Sequence, residues 1–469
     1  MNGKPTLLER MRWGGITSLT LAAAATVVFI AVGCPPGTDS PPSIVFRNVD
    51  LAVGDIGLEL FKKGLDTPAP PQILVYNNVL TEGSLQDPDL VFSGVDLPFI
   101  EYPISLQLTG DFTGNDLYSA DYGSSTVAIW RDYRVLASAA KGSSSIPPDV
   151  LLDSETSGIC RPIEILNVDN RLYVSNSSGE CGFQNEDKQF IGGYVEVFDN
   201  AGAIVPGGGD TPTIEFDVPG AAGIEVEKNT LYVASSGFLF KGGNPFTGAV
   251  FVFEDIPQRI ADLQTIIKGG NPFEPSVVLY GDSFLNIDDV RPWRVDVFEN
   301  RLYVTTVAGI MFVFDNADSL VEGQVPSAVI SRTTGNIGEQ GDMKLLGDTL
   351  YVGATYEYIG QKKSVEDGLG MTAFRPGKEI VTGQNAAMSF DDTNSQIGRA
   401  TCLSNEKDVL FVASGGPSCC SDYGDVHIFY DADTLTVPRP ADFVLPSLKD
   451  FVNPVSIDTN DFFFPEPTE

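Results

Sequence analysis

Short runs of alternating apolar and polar residues recur along the chain, each closed by turn residues. Within residues 161–200, Leu172-Tyr173-Val174-Ser175 follows the Asp169-Asn170 turn. Tyr194-Val195-Glu196-Val197-Phe198 then lies between Gly192-Gly193 and Asp199-Asn200. Alternation of β-branched and aromatic residues between such punctuators predicts strands. The first run has six copies: Leu117-Tyr118-Ser119, Leu172-Tyr173-Val174, Leu231-Tyr232-Val233, Leu302-Tyr303-Val304, Leu350-Tyr351-Val352 and Leu410-Phe411-Val412. Their leucines are 55, 59, 71, 48 and 60 residues apart. Most copies are followed by a run ending in an aromatic and a turn, such as Phe312-Val313-Phe314-Asp315-Asn316; the fifth offers only Met371-Thr372-Ala373-Phe374. A further run tends to follow a proline (residues 213–216, 276–279 and 328–330), and another precedes the Leu-Tyr pair (163–165, 224–226 and 294–297).

Four strands per unit at this period predict an all-β fold, a single β-propeller of four-stranded blades. One blade has two apolar faces and needs a neighbour on each side, so the Leu-Tyr-Val residues are expected in the inter-blade core. Residues 72–78 and 89–92 match the third and fourth strands of a blade. Residues 453–464 match the first and second, with Phe462 falling 52 residues after Leu410. A blade shared by both termini closes the ring without a free edge and brings the count to seven, with six as the alternative. Residues 43–61 supply either a second strand of their own or an arm outside the ring.

The copies NTLYVASSG…GAVFVFEDI and GGYVEVFDNAG…AGIEVEKNTLYVAS resemble the NHL and YVTN-type β-propeller repeats of bacterial exported proteins, over residues 72–464. The resemblance implies the fold rather than one activity, because such propellers include binding scaffolds, lactonase-like hydrolases and lipoproteins. The lactonase-like members hold calcium in the central channel with Asp, Glu and Asn. No such ligand set maps residue by residue onto this chain, so calcium is an open cofactor and the metal ligands are unassigned.

The N-terminus adds an address. Lys4, Arg10 and Arg12 precede an uncharged apolar stretch over residues 13–33, which ends at Ala31-Val32-Gly33-Cys34. This is the pattern of a secretory signal peptide, and cysteine after Ala-Val-Gly resembles a bacterial lipobox, which implies lipidation of Cys34. The alternative is an uncleaved anchor of nearly spanning length. The expected organisation is a signal peptide over 1–33, a lipidated cysteine and tether over 34–43, and the propeller over 44–469. Pro35 in place of Asp favours the outer membrane or cell surface by resemblance.

Charge excludes one class of partner. Lys plus Arg number 29 against 63 Asp plus Glu, a formal charge of −34. Removing Lys4, Glu9, Arg10 and Arg12 leaves 26 against 62, or −36. Such a surface repels phosphate backbones, so nucleic acid is not an expected partner. Export permits disulfides. Cys181 and Cys419 lie nine residues after Leu172 and Leu410, which suggests Cys160–Cys181 and Cys402–Cys419, with Cys420 left over or replacing Cys419. No pair of separated CxxC motifs and only one histidine argue against zinc.

Candidate chemistry is sparse. His427 lies in the strand Asp425-Val426-His427-Ile428-Phe429, where other blades carry Glu196, Val252 or Val313, and reads as a blade-face residue. A Ser-His-Asp triad would need it, and no GxSxG elbow accompanies it. The acidic clusters Asp111…Asp116, Asp288-Asp289 and Asp391-Asp392 read as solvated turns. One constellation stands out: Arg161, Arg291 and Arg399 each lie eleven residues before the leucine of their unit, at the entry to the innermost strand. Three guanidinium groups near one channel mouth, with Trp293 as an aromatic wall, form a candidate anion site. The alternative is that each arginine pairs with the neighbouring blade. The resulting reading is a monomeric, membrane-tethered binding or scaffold lipoprotein without catalysis, its partner a protein or polysaccharide of the cell envelope. Insertions at 179–191, 237–247 and 356–368 serve as its contact surfaces. The alternative is a calcium-dependent, lactonase-like hydrolase.

Overall fold

In the computed structural model, every Leu-Tyr-Val run is the second strand of a four-stranded antiparallel blade. The structure describes residues 49–461 apart from 56–69, 81–86, 112–113, 140–144, 178–191, 206–210, 237–247, 264–272, 288–289, 336, 339–340, 355–368, 392–393, 398–399, 415–423 and 446–453. Counting from the inner strand outward, blade 1 begins at Pro103–Asp111, blade 2 at Pro162–Val168, blade 3 at Ala221–Glu227 and blade 4 at Pro292–Phe298. Blades 5 and 6 begin at Met343–Leu346 and Ala400–Glu406. The seventh is built from both ends: Pro454–Asp461 is its inner strand, and Val49–Asp55, Gln72–Tyr76 and Leu90–Ser93 complete it.

The ring is therefore a seven-bladed propeller closed by strands from both termini, and six blades are ruled out. In the closing blade the second strand comes from within residues 43–61, one of the two expectations for that stretch, and not from the C-terminal segment. Residues 454–461 form one strand rather than two, and the second is Val49–Asp55, whose Leu51-Ala52-Val53 holds the register of Leu172-Tyr173-Val174. Ala52 in place of tyrosine hid that copy in the sequence.

Strand period explains the repeat. In blade 2, Leu172 and Val174 point into the cluster shared with blade 1, whereas Tyr173 points into the cluster shared with blade 3. Each blade contact has its own cluster of this kind. The tyrosine hydroxyl does more than fill space. Tyr232 donates to Ala317 O (2.9 Å), Tyr303 to Gly377 O (3.0 Å) and Tyr351 to Ala432 O (2.5 Å), each acceptor lying in the third-to-fourth connection of the next blade. A buried hydroxyl requires such a partner, so the repeat specifies an apolar ring and a latch together. The inner-to-second hairpins turn on Asp169-Asn170, Lys228-Asn229 and Glu299-Asn300, all with positive φ, as two-residue turns matched to strand twist require.

Blade 7 has no tyrosine to offer blade 1, and the latch is reversed there. Tyr133 and Arg134, on the short helix Tyr133–Ala139 of blade 1, donate to Asp50 Oδ2 at 2.7 and 2.6 Å, while Asn78 N donates to Asp50 Oδ1 (3.0 Å). Asp50 is fully buried.

Because strands alternate in direction, the inner-to-second turns and third-to-fourth connections share one face of the ring, called here the turn face. Second-to-third connections and blade-to-blade crossings share the other, the loop face.

Asp50→Ala removes the buried carboxylate to which Tyr133 and Arg134 both donate. It is expected to lower unfolding free energy by about 3 kcal/mol in urea titration, against about 1 kcal/mol for Tyr133→Phe. Equal, small effects for both would show that the closing blade does not depend on this latch.

Candidate functional site

The inner strands surround the central channel, and each presents a free edge of N–H and C=O groups toward the next blade. Side chains cap these edges. Gln107 takes the N–H of Asn167 on its Oε1 and donates its Nε2 to Asn167 O (3.3 Å), copying one rung of a sheet. Glu164 Oε2 accepts from Ile224 N (2.6 Å), Asp342 Oδ2 from Leu403 N (2.7 Å) and Asp458 Oδ2 from Leu108 N (2.7 Å). An unpaired edge amide in an enclosed channel is costly, so polar residues at these positions follow from the fold itself.

In blades 2 to 5 and in blade 7 the channel side carries formal charge. Register aligns Ser105, Glu164, Arg294 and Cys402 in one layer and Gln107, Glu225, Asp296, Lys344, Ser404 and Asp458 in the next. Arg294 of blade 4 pairs with Glu164 of blade 2, passing over blade 3 at Gly223. A Cβ on Gly223 would lie 2.8 Å from Arg294 Cα and 2.6 Å from Trp293 O, so glycine is what permits the crossing. Lys344 approaches Asp296 at 4.0 Å.

Five carboxyls face two cations here, and their protonation shows the imbalance. Burial pushes Asp296 up to about 7, opposed by Lys344 and reinforced by Asp342 and Glu164. Burial and the Asp296 charge raise Glu225 well above the usual carboxylate range. Burial lifts Asp458 to about 6 against the pull of the Leu108 N–H. Lys344 is raised because Asp296, Asp342 and Glu225 outweigh the effect of burial. The Cys402 thiol is pushed up by burial and by Asp342, toward which its Sγ points at 3.4 Å, and so stays protonated.

This arrangement is a hydrogen-bonded lining rather than a metal cage. Among the described residues, no three of His, Cys, Asp and Glu are grouped to hold a metal ion. Glu164, Asp342 and Asp458 already accept backbone amides, and Glu164 also holds Arg294. Among the described residues the lining therefore does not form the calcium cage that a lactonase-like hydrolase needs.

The arginine constellation is only partly described. Arg161 lies immediately before the inner strand of blade 2, its guanidinium 5.6 Å from the centre of the Tyr122 ring in blade 1. Arg291 holds the same place in blade 4, beside Trp293, while Arg399 lies outside the described residues. Cys34, Cys181, Cys419, Cys420 and Asp288-Asp289 also lie outside them, as do the insertions at 179–191, 237–247 and 356–368. Cys402 is a free thiol on the channel side of its inner strand, directed at Asp342 and at Ile457 O, which overturns the Cys402–Cys419 pairing. Asp116 is no solvated turn: it pairs with Arg131.

His427 is buried between blades with neither ring nitrogen hydrogen-bonded, and burial lowers it to about 4. Strand pairing makes its equivalents Glu196, Phe251, Phe312 and Thr372, correcting the alignment with Val252 and Val313. Glu196 is fully buried. One oxygen accepts from Asn176 Nδ2 (3.0 Å), the other has no partner, and burial lifts the carboxyl to about 8. The channel charges were missed in the sequence because Glu164, Glu225 and Asp296 looked like the polar phase of ordinary strands. Only the knowledge that these strands are innermost distinguishes them.

No family model matches the chain, and no curated protein matches it. Solved structures similar to it include apo AztD from Citrobacter koseri, with 9% identity over 88% of this chain and 98% of that one, at a TM-score of 0.40. Sqt1 from Saccharomyces cerevisiae has 10% identity over 80% and 79%, at 0.45. The computationally designed protein Ika8 has 13% identity over 84% and 91%, at 0.42. At these levels no function transfers.

A carboxyl with its folded value raised contributes stability in full below its unfolded value, and that contribution is lost as pH rises through the folded value. For Glu196 the window runs from the ordinary range near 4.5 to about 8. Glu196→Gln is expected to shrink the decline in urea stability between pH 5 and 8.5, and to be the more stable form at pH 8.5 by up to about 4 kcal/mol. An unchanged slope would mean that Glu196 is already ionised in the fold.

Proposed function

We propose that this protein is a non-catalytic binding or scaffold module of the bacterial cell envelope, lipid-anchored through Cys34, that engages a protein or polysaccharide through its loop face. The observation that carries the reading is the placement of the second-to-third connections. Residues 56–71, 177–193, 236–248, 354–368 and 415–424 all leave from and return to the loop face, whereas blades 1 and 4 close there with the short turns 122–125 and 307–309. Long connections thus belong to blades 2, 3, 5, 6 and 7, and short ones to blades 1 and 4. Variable loops on a rigid frame are a general means of recognition, while the channel beneath is occupied by its own hydrogen-bonded charges.

The N-terminal pattern and the NHL and YVTN-type resemblance support export and anchoring at the outer membrane or cell surface. A Cys160–Cys181 disulfide belongs to this reading as well: Cys160 is buried at the entry to blade 2, with its N–H on Asn176 Oδ1 (2.7 Å), where a bridge would pin the base of that blade's long connection. The anion site of Arg161, Arg291 and Arg399 would lie at the same mouth and serve the same face.

The test is affinity capture from solubilised envelope, using the mature protein and a variant whose 179–191 and 356–368 segments are replaced by short Gly-containing turns. Partner capture is expected to fall at least tenfold, with the thermal midpoint shifted by no more than about 3 °C. Undiminished capture by the trimmed protein would reject the loop face. Saturable single-site calcium binding together with lactone turnover would replace this reading with the hydrolase.

A further inference from the structure

The described residues leave eleven large apolar side chains exposed, and six of them are valines on the turn face: Val135, Val205, Val321, Val325, Val381 and Val437, each 54% to 64% exposed. All six lie in third-to-fourth connections, distributed over blades 1, 2, 4, 5 and 6. Single exposed valines are ordinary. Recurrence at one structural position is not, because the neighbouring Ile204, Leu320, Ile380 and Leu435 are buried while the valine beside or just beyond each is left outside.

The chain enters the propeller on this same face. Val49 opens the second strand of blade 7, and second strands begin at the turn face. Residues 35–48 separate it from Cys34, and at full extension they span about 50 Å, no more than a domain's width. We infer that the turn face is the membrane-proximal face of the anchored protein and that its rim of valines rests on the lipid surface, leaving the loop face outward. This rests on the Cys34 anchor proposed above. The occupant is a net-neutral bilayer, since a chain of −36 after leader removal is repelled by anionic headgroups. Valines contribute too little to hold the protein on a membrane by themselves. An anchor that keeps the bilayer within reach converts weak, repeated contact into a stable orientation.

The experiment is hydrogen exchange on the lipidated full-length mature chain in phosphatidylcholine vesicles, with the Cys34→Ser chain in the same vesicles as reference. Mass spectrometry of the N-terminal peptide reports the lipid on Cys34 independently. Amides of 201–205, 317–325 and 378–387 are expected to exchange at least threefold more slowly in the anchored chain, with 122–125 and 307–309 unchanged. The anchored Val321→Asp, Val381→Asp, Val437→Asp variant is expected to lose that protection, as is the anchored parent in phosphatidylglycerol vesicles. Protection of the loop-face turns, or of neither face, with lipid present on Cys34 would overturn the orientation and leave the anchor standing. A mature chain with unmodified Cys34 would overturn both.

Discussion

The ladder between Val49–Asp55 and Pro454–Asp461 is the joint on which the whole ring depends. Each blade buries one apolar face against the blade before it and one against the blade after it, so an open row would expose a face at each end and an inner edge besides. Pairing a C-terminal inner strand with three N-terminal strands removes both faces and makes the two ends of the chain a single folding unit. Closure comes late in synthesis and joins residues about four hundred positions apart, a contact with a large loop-closure cost. That explains why the joint is reinforced by buried Asp50, which Tyr133 and Arg134 of blade 1 hold from outside the sheet.

The same demand shapes the channel. A ring of inner edges must satisfy its amides with side chains, and Gln107, Glu164, Asp342 and Asp458 all do so by reaching to the next blade. Glu164, Asp342 and Asp458 are therefore accounted for by backbone geometry. Arg294 and Lys344 then appear where the acids crowd, and the small Gly223 is kept where Arg294 must cross. Charge in this channel is first a solution to an edge problem, and burial raises Asp296, Glu225 and Asp458 above the usual carboxylate range.

Legibility in the sequence follows the strength of the period. Leu172-Tyr173-Val174 and its copies announce the fold because one triplet encodes two blade contacts and a latch. Leu51-Ala52-Val53 carries the same register without the tyrosine, so the sequence offers residues 43–61 as a second strand only beside the alternative of an outer arm. Phe462 looked like that strand's leucine only through spacing. Cys402 was misread for a related reason: distance along the chain placed it near Cys419, but the alternation of the inner strand turns its sulfur toward the channel and Asp342. His427 is legible as a blade-face residue, but the full burial of Glu196 is not, since burial at that position depends on what the preceding blade presents.

Function is the least legible layer because the two faces of the ring obey different rules. At the turn face, Arg171, Arg301 and Arg439 are each matched to a carboxylate of their own blade, and Lys378 to Glu299 of the blade before it, so these cations serve the frame. The loop face has few described cations beyond Arg161, Arg291 and Arg332, and two of these stand at the mouth of the channel. Charge segregation of this kind leaves no motif in a linear sequence. It arises because the structural role of each arginine is fixed by where its strand begins and by which neighbour that start brings within reach.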